Sequence, residues 1–339
     1  MFPHLKNKRV LIFGNSGFVG SWLSLALNNF SSKILGVSLK MPNENYLSNT
    51  YQYKKKIKTI DCDINNLDKL NSKIKKFKPE IMIHLASQPI VQESFKNPKK
   101  TFYTNVLGTI KIFELSKTIK SIKKIIIFTS DKVYFNNYKI LNEKSNLGGL
   151  DPYSASKSCQ DIISQSYNYS FLNKEMIIIR SGNIIGGGDW GKERLLPDII
   201  KAYKKKQKIK IRSIKSSRPW LHILDVINAF LIIIEKKFNK NTTAIYNLAP
   251  KRTSQVSVKK ILNIIKRKTI IKNLKVEKIK SKTKEKKYLR LSAKKIRADL
   301  GWYSKLGLTE SLILTVELYL QNRHKVFEKT EKQIINFFD

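Results

Sequence analysis

Residues Val10-Leu11-Ile12-Phe13 run without a polar interruption into Gly14-Asn15-Ser16-Gly17-Phe18-Val19-Gly20, and a helix-like stretch follows over residues 21–29. An unbroken apolar strand must be covered on both faces, which demands helices on either side of a parallel sheet. The same alternation recurs down the chain. Strands are expected at 34–38, 58–60, 81–85, 125–129 and 176–180, with helices at 67–77, 105–118 and 153–169 between them. The expected fold class is α/β, a doubly wound, mostly parallel sheet. After about residue 183 the rhythm changes: Gly186-Gly187-Gly188-Asp189-Trp190 reads as a loop, and shorter pieces follow. Residues 1–185 are expected to form a dinucleotide-binding Rossmann domain. Residues 186–339 are expected to form mainly a smaller α+β substrate lobe, with some segments returning to the sheet.

Gly14, Gly17 and Gly20 sit where a strand hands over to a helix. Glycine there permits a tight turn and close backbone approach to a pyrophosphate, and the helix N-terminus adds free N–H groups and a positive dipole end. An acid that often ends the second strand to hold a ribose is missing; Ser38-Leu39-Lys40 stands there instead. Lys40 would tolerate a phosphate, which leaves NAD and NADP both open. Asp63 follows the short strand at 58–60 and has two readings, an adenine contact or a helix N-cap.

Net charge is +41 and the isoelectric point about 10.1 over 339 residues. Such a balance suits nucleic acid or an anionic surface. Here the lysines are scattered through every segment with Ile and Asn, as expected of an AT-rich genome, and form no separate basic tail; even the densest run, 259–295, interleaves them with Ile, Leu and Val. No dedicated nucleic-acid partner is expected. The two cysteines, Cys62 and Cys159, lack CxxC spacing, which points to a reducing cytoplasm and structural thiols. Four histidines without ligand spacing suggest no metal site. The basic start, Lys6 to Arg9, before an apolar run loosely imitates a signal peptide, but glycines and polar residues break the run at once. No stretch reaches the roughly 18 apolar residues of a membrane span.

Tyr153 and Lys157 stand four residues apart, on one face of a helix. An ammonium beside a phenol favours the phenolate and lowers its pKa from about 10, so Tyr153 could take a hydroxyl proton while hydride leaves the same carbon. Ser130, Asp131 and Lys132 end the strand at 125–129, and open α/β sheets do their chemistry at such carboxyl ends.

These segments resemble the extended short-chain dehydrogenase/reductase superfamily and, within it, the nucleotide-sugar 4,6-dehydratases. The likeness rests on Gly14 to Leu23, His84-Leu85-Ala86-Ser87-Gln88-Pro89, Thr104-Asn105-Val106-Leu107-Gly108-Thr109, Thr129-Ser130-Asp131-Lys132, Leu147 to Lys157, Gly182 to Trp190 and Arg218-Pro219-Trp220. Ser-Asp-Lys in place of the more usual Thr-Asp-Glu, with the triple-glycine loop, is similar to the branch that acts on CDP-glucose. The resemblance implies that Tyr153, with Lys157 and Ser130, serves oxidation at C4 by NAD. Lys132 then removes the C5 proton, Asp131 protonates the departing C6 hydroxyl, and hydride returns to C6. NAD would stay tightly bound and be recycled. It further implies cofactor contacts at Gly14, Ser16, Gly17, Phe18, Gly20, Asp63, Ile64, Leu85, Ala86, Thr104 and Lys157. Substrate contacts are implied at Gln88, Asn183, Arg194, Arg212, Arg218 and His222, the arginines because their forks match diphosphate oxygens. A homodimer or dimer of dimers is implied through the helices at 105–118 and 153–169.

Three positions depart from the pattern: Leu221 for Gln, Gln92 for Arg and Ser292 for Asp. They bear on nucleotide and sugar identity. A sugar-nucleotide epimerase or reductase would need only Ser130, Tyr153 and Lys157, and would leave Asp131 and Lys132 idle. A nucleic-acid-binding non-enzyme would rest on charge alone.

Overall fold

The computed structural model describes residues 2–42, 44–135, 140–250, 255–279 and 289–339. Among these, seven strands form one parallel sheet: β1 (Arg9–Phe13), β2 (Lys33–Ser38), β3 (Lys58–Asp61), β4 (Ile81–His84), β5 (Lys124–Ser130), β6 (Glu175–Ser181) and, arriving later in the chain, Thr243–Leu248. The first six lie in the order β3-β2-β1-β4-β5-β6, with Thr243–Leu248 beside β6 at the edge. The chain leaves β1 in one direction and returns across it to β4, so a crevice opens between their carboxyl ends, where such sheets bind ligands.

The unbroken apolar runs are explained by what covers them. Val10, Ile12, Ile81, Ile83 and Ile126 join a core with helices Phe18–Asn29, Ile223–Glu235 and Arg323–Phe338. Their neighbours Leu11, Phe13, Met82, Ile125 and Ile127 point the other way, to helices Gly108–Lys117 and Pro152–Tyr167. Side chains alternate across a strand, so a sheet covered twice needs apolar residues at every position.

The remaining strands build a separate region. They are β7 (Asn183–Ile185), β8 (Ile209–Ile211), β9 (Ser217–His222), β11 (Gln255–Ser257) and β12 (Val276–Lys278), if Thr243–Leu248 is numbered β10. The sheet β11-β9-β7 and the pair β8-β12 share a third core with helices Leu195–Lys204, Val258–Lys268 and Leu308–Tyr319. Within the lysine-dense run, helix Val258–Lys268 buries Val258, Ile261, Leu262 and Ile265 and turns its lysines outward. Positions 280–288 of that run lie outside the described residues.

Helix boundaries differ from the sequence expectation where backbone chemistry intervenes. The first helix begins at Phe18, not 21, because Gly17 takes the extended N-cap conformation. The stretch at 67–77 is two pieces: a 3₁₀ segment Ile64–Leu70, kinked at Asn66 and capped by Asp63, then helix Asn71–Phe77. The helix expected from 105 begins as a π-helical turn, Tyr103–Leu107. Pro152 opens the next helix one residue early, behind an Asp151 cap whose carboxylate accepts from Ser154 N at 2.9 Å. At least one cation of the excess is structural. Lys124, buried at the base of β5, donates to the carbonyls of Ile233, Ile234 and Lys236 and pairs with Glu175 at 3.3 Å. It closes the C-terminus of helix Ile223–Glu235, whose last carbonyls have no partner within the helix.

Among the described residues no helix is long and apolar enough to cross a membrane, and no cluster of three or more side chains could hold a metal ion.

Asp225, in the first turn of helix Ile223–Glu235, is fully buried and accepts a hydrogen bond from Lys305 N at 2.6 Å. Burial pushes its carboxyl up to about 7 despite that bond. Between about pH 4 and 7 the folded chain then holds a proton that the unfolded chain gives up, so this carboxyl makes stability fall as pH rises through that window. Asp225→Asn should keep the bond from Lys305 and lose this dependence. Urea unfolding at pH 4.5 and 8 should show a wild-type loss relative to the variant of about 3 kcal/mol; equal losses would refute the assignment.

Candidate active site

The turn after β1 is shaped by close packing. Gly14 has φ +86°, and a Cβ there would lie 2.6 Å from Ala86 N. A Cβ on Gly20 would lie 2.2 Å from the Gly14 carbonyl oxygen. Only glycine fits either place. The loop is also held from beneath. Asn15 donates to Thr59 Oγ1 at 2.7 Å, Tyr53 donates to Asn15 O at 3.0 Å, and Ser48 donates to Ser16 O at 2.8 Å. The helix N-cap, Gly17, offers no side chain to the first N–H groups. This cradle fits a pyrophosphate.

The other cofactor candidates gather at the same edge. Leu85 and Ala86 follow β4, with Leu85 N bonded to Phe13 O at 2.8 Å. Thr104 lies in the π-helical turn, a local form often found at functional sites. Phe18 and Ile64 are buried: Phe18 packs against Gly186, and Ile64 fills the space under Gly108. Asp63 Oδ1 accepts from Asn65 N and Nδ2, both at 2.9 Å, so the N-cap reading describes it. The acid missing from β2 has a neighbour that the sequence order hides. Register places Asp61 beside Ser38, and its Oδ1 accepts from Lys40 N at 3.2 Å.

Ser130 ends β5 and caps a single 3₁₀ turn, Asp131–Val133. Its hydroxyl donates to Asp131 Oδ1 at 3.1 Å, accepts from Lys132 N at 3.2 Å, and hydrogen-bonds the Tyr153 phenol. Lys132 Nζ stands 5.9 Å from the centre of the Tyr153 ring. Helix Pro152–Tyr167 carries Tyr153 and Lys157 to this point, anchored by Ser94 Oγ accepting from Tyr153 N at 3.2 Å. Ser130, Asp131, Lys132 and Tyr153 thus come together, with Lys157 one helical turn beyond Tyr153.

Burial dominates the electrostatics of this pair. Burial, with the carboxylates Asp131 and Asp151 nearby, pushes the Tyr153 phenol up to about 12, against the pull of Ser130 and Arg194. The Lys157 amine, one helical turn further on, is itself shifted. Its own ammonium is 3% exposed and burial brings it down to about 7. Its Nζ turns instead to Gln160 Oε1 at 2.9 Å. A short chain of donors fixes that arrangement. Thr109 gives its single hydroxyl proton to Asn105 O at 2.7 Å. His84 Nε2 and Gln160 Nε2, each 3.0 Å from Thr109 Oγ1, must therefore both donate to it. Gln160 is left presenting its carbonyl to Lys157. His84 is neutral, held down to about 3 by burial and by Lys157. Sequence reading places Thr109 in a motif without giving it this role and misses Gln160, because a single polar residue on a helix face carries no pattern.

The substrate candidates divide. Gln88 is fixed by Thr101 Oγ1 at 2.9 Å and by Asn105. Asn183 opens β7 opposite Trp220. Arg194 lies near enough to Tyr153 to act on it, and the Asp189 carboxylate at 2.6 Å holds its guanidinium charged. Arg212 reaches Glu193 at 3.0 Å, one residue along the same loop. Arg218 is buried on β9 with Nη1 on Ser217 O at 2.9 Å. His222 is different. It is 1% exposed, packs edge-on to Trp22, and its Nδ1 accepts from Leu224 N to cap a helix. The structure gives this ring a packing and capping task, and its buried Nε2 has no hydrogen-bond partner among the described residues.

Residues 10–249 match the model of the NAD dependent epimerase/dehydratase family, and the chain belongs to that family. It is 33% identical to the CDP-glucose 4,6-dehydratase of Salmonella typhimurium over 97% of its own length and 94% of that protein. It is 27% identical to the human dTDP-D-glucose 4,6-dehydratase, across 97% and 95% of the two chains. Among solved structures, the UDP-glucose 4-epimerase of Thermotoga maritima shares the fold with a TM-score of 0.81 at 21% identity, over 92% of this chain and 98% of that one. The NDP-hexosamine 5,6-dehydratase TunA does so with a TM-score of 0.79 at 20% identity, over 92% and 97%.

Gly20→Ala should force the helix away from the Gly14 carbonyl and spoil the cradle. NAD affinity, followed by calorimetric titration, should fall at least about tenfold, or roughly 1.4 kcal/mol. Unchanged affinity would place the pyrophosphate elsewhere.

Proposed function

We propose that this chain is a nucleotide-sugar 4,6-dehydratase, a hydro-lyase that converts CDP-glucose to CDP-4-keto-6-deoxyglucose and water. The supporting observation is the meeting of two sets of groups in one cleft: Tyr153, Ser130 and Lys157 for oxidation, and Asp131 with Lys132 on the turn beside them. NAD, which the Gly14–Gly20 cradle would hold, would supply the hydride chemistry, accepting at C4 and returning at C6. Burial holds Tyr153 up at about 12, so a cation near the phenol would favour the phenolate that the reaction needs. Tyr153 takes the C4 hydroxyl proton, with Ser130 holding the oxygen. The resulting ketone acidifies C5–H. Lys132 removes that proton and Asp131 delivers one to the C6 hydroxyl as water departs. Arg194, Arg212 and Arg218 face the diphosphate, with Gln88 and Asn183 on the sugar. Residues 1–185 serve the cofactor and most of 186–339 the sugar nucleotide. The two cysteines, both unpaired, suit the cytoplasm.

We read the enzyme as a homodimer. Phe102, Tyr103 and Leu107 on one helical stretch, and Ile162, Tyr169 and Phe171 on the next, are large apolar side chains 37–84% exposed. A second copy would bury them. Ile162→Glu should shift the chain from dimer to monomer in light scattering behind gel filtration; a wild-type monomer would refute the interface.

The purified protein should give the base-induced ketosugar chromophore with CDP-glucose in preference to UDP- and dTDP-glucose. No ketosugar from any of them would overturn the assignment, and a C4-inverted sugar would mark an epimerase. Lys132→Ala should still oxidise C4 in a single turnover but lose water at least about 100-fold more slowly. Full ketosugar formation would remove Lys132 from the role of base.

A further inference from the structure

The oxidising groups and the eliminating groups sit on different pieces of backbone. Tyr153 and Lys157 ride on helix Pro152–Tyr167, and Asp131 and Lys132 on the one-turn segment Asp131–Val133. Their relative position is set away from the cleft, in a buried polar cluster below it. Asp161 stands four residues beyond Lys157. Its carboxylate takes a two-pronged grip from Arg180 of β6, Nε to Oδ2 and Nη2 to Oδ1, both at 2.7 Å, and also accepts from Gln165 Nε2 at 2.9 Å. Both members of this pair are essentially unexposed. The third prong of the guanidinium, Nη1, donates to the Tyr134 hydroxyl at 2.9 Å and to Glu143 O at 3.2 Å. Tyr134 in turn donates to Asn247 Oδ1 at 2.6 Å, and Asn247 N donates to Glu143 Oε1 at 2.8 Å. Tyr134 is the residue directly after the Asp131–Val133 turn.

We propose that Tyr134 is a positioning residue for water elimination: its hydroxyl, held between Arg180 and Asn247, sets the turn that carries Asp131 and Lys132 against the helix that carries Tyr153 and Lys157. The proposal rests on the dehydratase reading above. Its logic is that one guanidinium serves as common reference for both backbones. The helix is tied by two charge-assisted bonds that do not involve Tyr134. The turn is tied at its start by Ser130 and at its end by Tyr134, with Ser158 Oγ donating to Val133 O at 2.9 Å between them. Removing the Tyr134 hydroxyl leaves the oxidising pair anchored and takes away the side-chain tie at the far end of the turn, while the backbone there stays held by Gly148 N on Val133 O at 2.8 Å and Phe135 N on Asn146 O at 2.9 Å. The ring itself packs 4.9 Å from the guanidinium carbon, and Tyr134→Phe would keep that contact.

The test is a single-turnover comparison of wild type and Tyr134→Phe with CDP-glucose, both bearing NAD. C4 oxidation, read as reduced-nicotinamide absorbance, should stay within about twofold of wild type, while ketosugar formation should slow roughly 10- to 100-fold, the usual result of a small misplacement of acid and base. Asn247→Ala reaches the same hydroxyl from the other side and should show the same split, which keeps the test decisive if one variant folds poorly. Parallel slowing of both steps, or of neither, would overturn the proposal. Wild type run alongside separates the two readings. No ketosugar from any nucleotide-glucose would sink the dehydratase assignment; a normal wild type with normal water loss in Tyr134→Phe would sink the positioning role alone.

Discussion

A parallel sheet covered on both faces has only one place for chemistry. Every backbone group within it is paired and every side chain is packed, so polar groups that must meet a ligand are pushed to the carboxyl edge. The chain obeys this closely. The glycine turn follows β1, Leu85 and Ala86 follow β4, and Ser130, Asp131 and Lys132 follow β5. Asn183 comes two residues after β6. The sheet needs residues such as Val10 through Phe13 to be apolar without a break, and that need brings four separate pieces of sequence to one cleft.

Burial then decides which charges act. The chain carries 66 lysines and arginines against 25 acids, yet the Lys157 amine, buried in the site, is brought down to about 7 by desolvation and faces a neutral amide. The basic surface is long-range and screened, whereas the cost of burying an ammonium is local and is not. Arg180 shows the opposite solution. Also buried, it meets a carboxylate in two-pronged geometry and stays charged as a structural tie. Two buried cations of like sign therefore do different work, according to the partner each one faces.

This distinction separates what could be read in the sequence from what could not. The strands, the glycine turn and the Tyr-Lys pair were legible because each is a local pattern with a fixed period or spacing. Ser130-Asp131-Lys132 was legible as a cluster at a strand end. The cap at Asp63 was one of two readings, and only the fold shows both hydrogen bonds to Asn65. His222 reads in the sequence as a substrate contact, and only the fold shows its edge-on packing against Trp22 and its cap on Leu224 N. Asp61 was invisible as a partner of the β2 end, since the two meet only through strand register. The expectation that Lys157 lowers the Tyr153 pKa followed from spacing alone. Four residues on a helix put two side chains on one face, but the orientation of the amine depends on Gln160 and Thr109, whose roles come from tertiary contacts.

The buried cluster around Arg180 extends the same reasoning to precision. A reaction with two separable stages needs its two sets of groups held to within a fraction of an ångström of each other. Groups in the cleft cannot do this for themselves, because they must remain free to exchange protons. Referencing both backbones to a guanidinium beneath the site gives the rigidity to residues that never touch the sugar. It also accounts for a buried ion pair in a fold that apolar packing alone could stabilise. Such pairs return little net stability once desolvation is counted, and their value lies in fixing one arrangement over its near alternatives. For Tyr134 the decisive property is accordingly the direction of one hydroxyl, given to Asn247 and received from Arg180, since the backbone bonds at Val133 and Phe135 hold the course of the turn but do not refer it to the guanidinium that grips the helix beside it.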